Sequence, residues 1–115
     1  MLYRKLKAKT IPFQTEDELR NLGLSKTPDI KLQVPLGVEG PDGEARVIFW
    51  IDSKAMFGNA LSHEKNVGQL QGYVNRFGPG MVIYWFDFVE SLNRDPDILI
   101  CSDFPSKIIS HSLDI

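Results

Sequence analysis

The feature that most constrains the fold is a pair of strand-like segments on either side of one turn. Apolar and polar side chains alternate over residues 30–34, whereas residues 47–51 are apolar throughout. Turn-forming residues, Pro41-Asp42-Gly43, lie between the two segments. A period of two is that of a strand with one buried face, and a continuous apolar run is typical of a central strand. The two segments therefore predict a β-hairpin inside a larger sheet.

Charged residues lie at the open end of this predicted hairpin. Asp29 begins the first strand, and Asp52 and Lys54 follow the apolar run of the second. Side chains two residues apart project from one face of a strand, and antiparallel pairing brings Asp29 beside Asp52. Two facing carboxylates repel each other unless a cation lies between them. The hairpin therefore predicts a divalent-metal site, with Mg²⁺ as the expected cation and Mn²⁺ as the alternative.

Hydrolysis of phosphodiester bonds is the chemistry that this group of residues predicts. A metal would polarise the phosphoryl oxygen and lower the pKa of its bound water, while Lys54 would hold that water or balance charge on the phosphate. The bare pattern is weak, because Pro-Asp also occurs at residues 41–42 and 96–97 and Asp-x-Lys at residues 29–31. The other two Pro-Asp pairs lie in turns, where such residues are expected anyway.

Length and composition predict one domain over residues 1–115, with a basic arm (1–10), a core (11–105) and a tail (106–115). Hydrophobic residues make up 43% of the chain, which suffices for a compact core. No apolar run could span a bilayer, so we expect no membrane association. Cys101 is the only cysteine, which excludes an intrachain disulfide and favours a reducing, cytoplasmic location.

The net charge of −2 is not the usual signature of a nucleic-acid-binding protein. The charge is uneven, however, because the first nine residues contain four cations and no acid, namely Arg4, Lys5, Lys7 and Lys9. The simplest interpretation of this run is a solvated arm.

Two helices are predicted to pack around the hairpin. Thr15 and Glu18 form a capping box, so a first helix runs to about Leu22, with Leu19 and Leu22 towards the core. A second helix is predicted from a Ser62 cap, through residues 63–77. Its core face is Val67, Leu70, Val74 and Phe77, and its second stripe is Asn66, Gln69, Tyr73 and Arg76.

The second stripe has two equally weighted interpretations: contact with phosphates at the metal end, or an ordinary half-exposed helix face. Gly72 within this helix predicts close packing on the sheet. His63 is predicted to be a surface residue. Apolar runs 81–86 and 98–101 predict two more strands, with Trp50, Trp85 and Phe86 in the core unless one of them is exposed and free to stack on bases.

The same residues carry a family resemblance. Thr27-Pro28-Asp29 followed by Asp52-Ser53-Lys54 resembles the PD-(D/E)xK nuclease superfamily, and Gln69-x-x-x-Tyr73 resembles the motif of its RecB-type members. The more specific similarity is to the family named for its TPD motif. It covers roughly residues 11–105, with the longest shared strings at residues 24–39, 50–58 and 75–80.

This resemblance implies a restriction-endonuclease-like αβββαβ core, a mixed α/β sheet flanked by helices, and Mg²⁺-dependent cleavage of nucleic acid, DNA rather than RNA. Asp29, Asp52 and the Ser53 carbonyl would be metal ligands and Lys54 the catalytic lysine. Gln69 and Tyr73 would position substrate or water, and a homodimer would suit duplex DNA.

Some alternatives stay open at the level of sequence. An outer-shell acid could be Glu16, Asp17, Glu18 or Glu39. The superfamily places a strand between its first helix and the PD strand, and only residues 24–26 are available for it after the capped helix. A catalytically weak or inactive module that binds nucleic acid or protein on the same fold is the alternative function.

Overall fold

The structure is a computed structural model that describes residues 2–9, 11–23, 26–105 and 108–111. It contains both helices and strands, as the predicted α/β class requires. In chain order they are α1 (Leu2–Ala8), β1 (Phe13–Thr15), α2 (Glu16–Asn21), β2 (Ile30–Glu39), β3 (Ala45–Lys54), α3 (Ala60–Phe77), β4 (Gly80–Tyr84), a 3₁₀ turn (Glu90–Leu92), β5 (Ile98–Cys101) and β6 (Ile108–His111).

One mixed sheet contains all of these strands, in the order β1-β2-β3-β4-β5, with β6 also paired to β2. The pairs β1–β2, β2–β3 and β2–β6 are antiparallel, whereas β3–β4 and β4–β5 are parallel. Helix α3 makes the crossover that a parallel β3–β4 pair needs. The predicted mixed sheet flanked by helices is confirmed.

The predicted hairpin is formed by β2 and β3. Ile30 pairs with Ile51, and the register shifts between Lys31 and Leu36 before pairing resumes. Pro35 lies inside this irregular stretch, where its missing N–H does not interrupt a ladder. The register places Asp29, just before β2, across from the end of β3.

The strand that pairs with the start of β2 comes from before the capped helix and not from residues 24–26. Residues 24 and 25 lie outside the described part of the chain, and the strand that pairs with the start of β2 is β1, before the capped helix. The capping box of α2 is confirmed by the bonds between Thr15 and Glu18. Leu19 is buried as expected, but the prediction for Leu22 is wrong, because its side chain is 66% exposed.

Helix α3 begins three residues earlier than predicted. Asn59 is the N-cap and Ser62 is the third helical residue, since the Asn59 side chain accepts from the Ser62 N–H and the Ser62 hydroxyl accepts from the Asn59 N–H. Leu70, Val74 and Phe77 pack towards the sheet as predicted. Val67 does not, because it lies on the exposed side of the helix.

Close approach of a glycine occurs at Gly80 and not at Gly72. A Cβ atom built on Gly72 meets nothing within 4 Å, so the expected tight helix–sheet packing there is wrong. A Cβ atom on Gly80 would lie 1.9 Å from the indole of Trp50, which is fully buried beneath it. This contact fixes how closely β4 lies against β3.

Apolar side chains are buried on both faces of the sheet. One cluster includes Leu2 and Leu6 of α1, so the segment expected to be a solvated arm is a helix that packs on the core. The other cluster joins Leu70 and Tyr73 of α3 to Trp50 and Tyr84. No helix in the described residues has the length and apolarity to cross a membrane.

Candidate metal centre

Asp29 and Asp52 lie side by side at the open end of the β2–β3 hairpin. The Asp29 N–H donates to Asp52 Oδ1 at 3.1 Å, and Asp29 Oδ2 accepts from the Ser53 N–H at 2.9 Å. The Ser53 hydroxyl donates to the same oxygen at 3.1 Å. These reciprocal hydrogen bonds hold both carboxylates together at the open end of the hairpin, as the strand pattern predicts.

Lys54 completes the group of charges. Its Nζ lies 3.0 Å from Asp52 Oδ2, and it donates to Gln69 Oε1 at 2.7 Å. Helix α3 therefore reaches the hairpin through Gln69, one of the residues that the helical stripe singled out. The amide fixes the position of the ammonium while adding no charge of its own.

Burial makes Asp52 an unusual acid. The residue is 3% exposed, and desolvation together with the nearby Asp29 charge raises its pKa from 3.8 to about 6, against the opposing effect of Lys54. Its Oδ2 is buried and lies 3.0 Å from the Lys54 ammonium, which offsets part of the cost of burying the charge. A buried carboxylate beside a second carboxylate is costly even with an ammonium next to it, and a hard cation is a ligand that fits such a pair.

An open cavity of about 600 Å³ lies directly over these residues. Asp29, Asp52, Ser53 and Lys54 form its floor, and helix α3 forms one wall. Its remaining lining comes from α2, α3 and the loop before β2, and consists of Glu16, Arg20, Gly23, Lys26, Thr27, Gln69 and Tyr73. Room for a substrate therefore exists at the carboxylate pair itself.

The donor set fits a magnesium-like cation. Asp29 and Asp52 supply two carboxylates, and the described residues contain no group of three or more His, Cys, Asp or Glu side chains arranged for a metal. Zinc sites use three or four such protein ligands, whereas Mg²⁺ is held by one or two carboxylates and keeps several waters. The residues present therefore suit Mg²⁺ or Mn²⁺ better than zinc.

The other residues of the predicted α3 stripe have different positions. Tyr73 lines the cavity, but it is almost entirely buried and packs edge-on against Trp50 at 5.3 Å. Burial raises the pKa of its phenol, so the hydroxyl stays neutral near pH 7. Arg76 donates to the Lys26 carbonyl at 3.2 Å and lines a neighbouring cavity of about 530 Å³.

Of the candidate outer-shell acids, only Glu16 lines the cavity, where it pairs with Arg20 at 3.4 Å. Asp17 also pairs with Arg20, and Glu18 is used in the capping box. Glu39 lies at the far end of β2. The cations Arg20 and Lys26 were missed by the sequence reasoning, and no spacing relates them to the hairpin.

Two further predictions are wrong in position. His63 is not a surface residue, because its Nδ1 lies 2.7 Å from the Tyr84 hydroxyl and its ring is half-buried. Strand β4 ends at Tyr84, which leaves Trp85 half-buried and Phe86 64% exposed in the following turn. The Tyr84 hydroxyl also accepts from Asn66 at 3.3 Å, so Asn66 is turned inward.

The fold and this site define an α/β protein that carries a pair of neighbouring aspartates and a lysine at the end of a β-hairpin. Residues 1–104 match the model of the family described as "Protein of unknown function TPD sequence-motif". The chain belongs to this family.

Curated relatives from vertebrates share the name "CDAN1-interacting nuclease 1". The mouse relative is 48% identical over 105 residues, which are 89% of this chain and 36% of the relative. The human relative is 46% identical over 110 residues, which are 91% of this chain and 37% of the relative. The Xenopus tropicalis relative is 45% identical over 113 residues, which are 96% of this chain and 36% of the relative. The chain thus spans little more than a third of these relatives. No solved structure matches it.

Proposed function

We propose that this protein is a metal-dependent nuclease that hydrolyses phosphodiester bonds, with DNA as the preferred substrate and Mg²⁺ or Mn²⁺ as its cofactor. The observation that carries the proposal is the neighbouring pair of Asp29 and Asp52, of which Asp52 is buried. The Asp29 N–H donates to Asp52 Oδ1 at 3.1 Å, and Asp52 Oδ2 lies 3.0 Å from Lys54 Nζ. The word "nuclease" in the relatives' name supports the proposal, although the chain matches only about a third of their length.

Each residue has a defined task in this proposal. Asp29, Asp52 and the Ser53 carbonyl would hold the cation, which when bound supplies an electrophile for the phosphoryl oxygen and an acidified water. Lys54 would hold the attacking water or balance the charge that grows on the phosphate. Gln69 keeps Lys54 in place through its 2.7 Å bond, and Tyr73 closes the wall behind it.

Chain order supports a restriction-endonuclease-like core of the PD-(D/E)xK type. When α2 is treated as an insertion, the elements run α1, β1, β2, β3, α3, β4, which is the αβββαβ order that the resemblance implies. Under this alignment β1 is the strand expected before the PD strand. The acidic pair then lies on the second and third strands of the core.

Cleavage assays test the proposal directly. Purified protein should cut DNA in Mg²⁺ or Mn²⁺ and lose this activity in EDTA, with single-stranded, duplex and branched DNA and RNA compared in parallel. Asp52→Ala and Lys54→Ala should abolish cleavage while the circular dichroism spectrum stays unchanged. Asp97→Asn is the matched control, because Asp97 also follows a proline but lies in an exposed turn away from the cavity. Absence of cleavage on every substrate with either metal would refute the proposal.

A second candidate is a binding module that keeps this fold without turnover. The net charge of −2 favours it, and the relatives' name describes an interaction with CDAN1. Binding that weakens with salt but is never followed by metal-dependent cleavage would indicate nucleic-acid binding alone. Equilibrium sedimentation would also test the homodimer that we propose.

A further inference from the structure

A second cavity also borders the carboxylate pair, and α1 and the residue after β4 line it instead of α2 and α3. Its volume is about 290 Å³, and its lining consists of Leu2, Tyr3, Asp29, Ser53 and Trp85. Asp29 and Ser53 therefore line both this cavity and the larger one of about 600 Å³. An enzyme that cuts inside a polymer needs room for the chain on both sides of the reacting bond, and the two cavities supply that room.

The two cavities differ in the chemistry of their walls. Lys26, Lys54 and Arg20 line the larger one and suit a phosphate-rich backbone. Two aromatic rings, those of Tyr3 and Trp85, line the smaller one. Aromatic rings are the side chains on which unpaired bases stack, since every base has a π-face.

Tyr3 is held in place without being covered. Its ring lies 5.8 Å from that of Phe13 at an interplanar angle of 28°, yet the residue remains 44% exposed. Helix α1 is anchored by Leu2 and Leu6 in the core, so the ring has a fixed position beside the carboxylates. A rigid exposed ring loses little conformational entropy when a ligand stacks on it.

Trp85 is placed by the sheet itself. Its backbone N–H donates to the Lys54 carbonyl at 3.1 Å, directly after the parallel pairing of Lys54 with Tyr84. Trp85 therefore lies at the same end of the strands as the proposed metal ligands. Its position follows from the backbone pairing that also positions Lys54.

We propose that the cavity between Tyr3 and Trp85 binds an unpaired nucleobase next to the reacting phosphate, so that single-stranded or locally unpaired nucleic acid is the preferred substrate. This inference rests on the proposed nuclease function. Bases inside a duplex are already stacked on their neighbours and must first be unstacked to enter such a cavity. DNA and RNA offer the same base chemistry here.

Binding measured in EDTA tests the inference apart from catalysis. Fluorescence anisotropy would compare a labelled single-stranded oligonucleotide with the same sequence as a duplex. Tyr3→Ala should weaken single-strand binding by about 5- to 150-fold, the range for losing one base–aromatic stack, and leave duplex binding unchanged. Tyr3→Phe should bind as the wild type does. Phe57→Ala is the matched control, because Phe57 is also 44% exposed but does not line the cavity.

Tryptophan fluorescence provides a second readout on unmodified protein. The chain has two tryptophans and Trp50 is fully buried, so quenching by an added oligonucleotide would report on Trp85. Quenching should occur with single strands and be lost in Trp85→Phe. This measurement decides the matter even if Tyr3→Ala does not fold.

The inference is overturned if Tyr3→Ala weakens single-strand and duplex binding equally or not at all, or if single strands cause no Trp85-dependent quenching. If neither binding nor fluorescence indicates stacking but the protein still cleaves nucleic acid, only this inference is refuted and the proposed nuclease function stands. If single strands stack on Tyr3 and Trp85 but no substrate is cleaved, the proposed nuclease function is refuted instead.

Discussion

Replacing Asp52 by asparagine should stabilise the metal-free protein at neutral pH. The Asp52 carboxyl is buried beside Asp29, and its pKa is raised from 3.8 to about 6. The native state therefore binds the Asp52 proton more tightly than the unfolded state does. Stability from this group is fully present below pH 4 and is lost as pH rises through 6.

The size of the effect follows from the same two values. A difference of about 2 pKa units corresponds to about 3 kcal/mol of stability lost at pH 7. A neutral amide in place of the carboxylate would remove that loss but also the ion pair with Lys54, whose Nζ is 3.0 Å from Asp52 Oδ2. We therefore expect Asp52→Asn to raise the free energy of unfolding by about 1–3 kcal/mol at pH 7.

Urea denaturation in EDTA from pH 4 to 8 is the assay. The two proteins should have similar stability near pH 4 and diverge as pH rises, with the variant more stable. Asp97→Asn is the matched control: Asp97 lies in an exposed turn away from the carboxylate pair, so we expect no such gain. A variant that is less stable than the wild type at pH 7, or a difference that does not change with pH, would refute the reasoning.

Three further changes test the packing. Gly72→Ala should raise the free energy of unfolding by up to about 1 kcal/mol, because the site is helical and open, and a urea titration would detect the gain. Gly80→Ala should lower it by about 3 kcal/mol or more, since the new Cβ would overlap Trp50; an unchanged melting temperature would contradict that contact. Thr15→Ala should cost about 1 kcal/mol through loss of the α2 cap, whereas Thr15→Ser should not.

The hairpin and its charged end could be predicted from sequence because strand periodicity is local. Once residues 30–34 and 47–51 are read as paired strands, the i, i+2 rule and antiparallel pairing place Asp29, Asp52 and Lys54 together. The structure brings these three side chains to one place. Gln69 could be predicted for a similar reason, since helical spacing places it with Tyr73 on one face of α3.

Other features depend on tertiary context that no local pattern contains. Asn59 and Ser62 are both good N-cap residues, and the choice between them depends on where the chain leaves the Gly58–Phe88 bridge. A glycine in a sequence does not show whether its missing side chain faces solvent, as at Gly72, or an indole, as at Gly80.

The ends of elements were also hard to predict. The apolar run 81–86 continues beyond β4, because the chain turns at residues 85–86 and Asp87 has a positive φ of 78°. Leu2 and Leu6 had the i, i+4 spacing of a packed helix face, but the four nearby cations favoured a solvated arm. Their burial is what places Tyr3 beside the carboxylate pair.

Crystals soaked with Mn²⁺ would test the central claim most directly. The account predicts one anomalous peak between the Asp29 and Asp52 carboxylates, within about 2.0–2.3 Å of an oxygen from each. The peak should vanish in Asp52→Asn crystals under the same soak. A wild-type map with no peak at this position, or with the ion bound only elsewhere, would contradict the account.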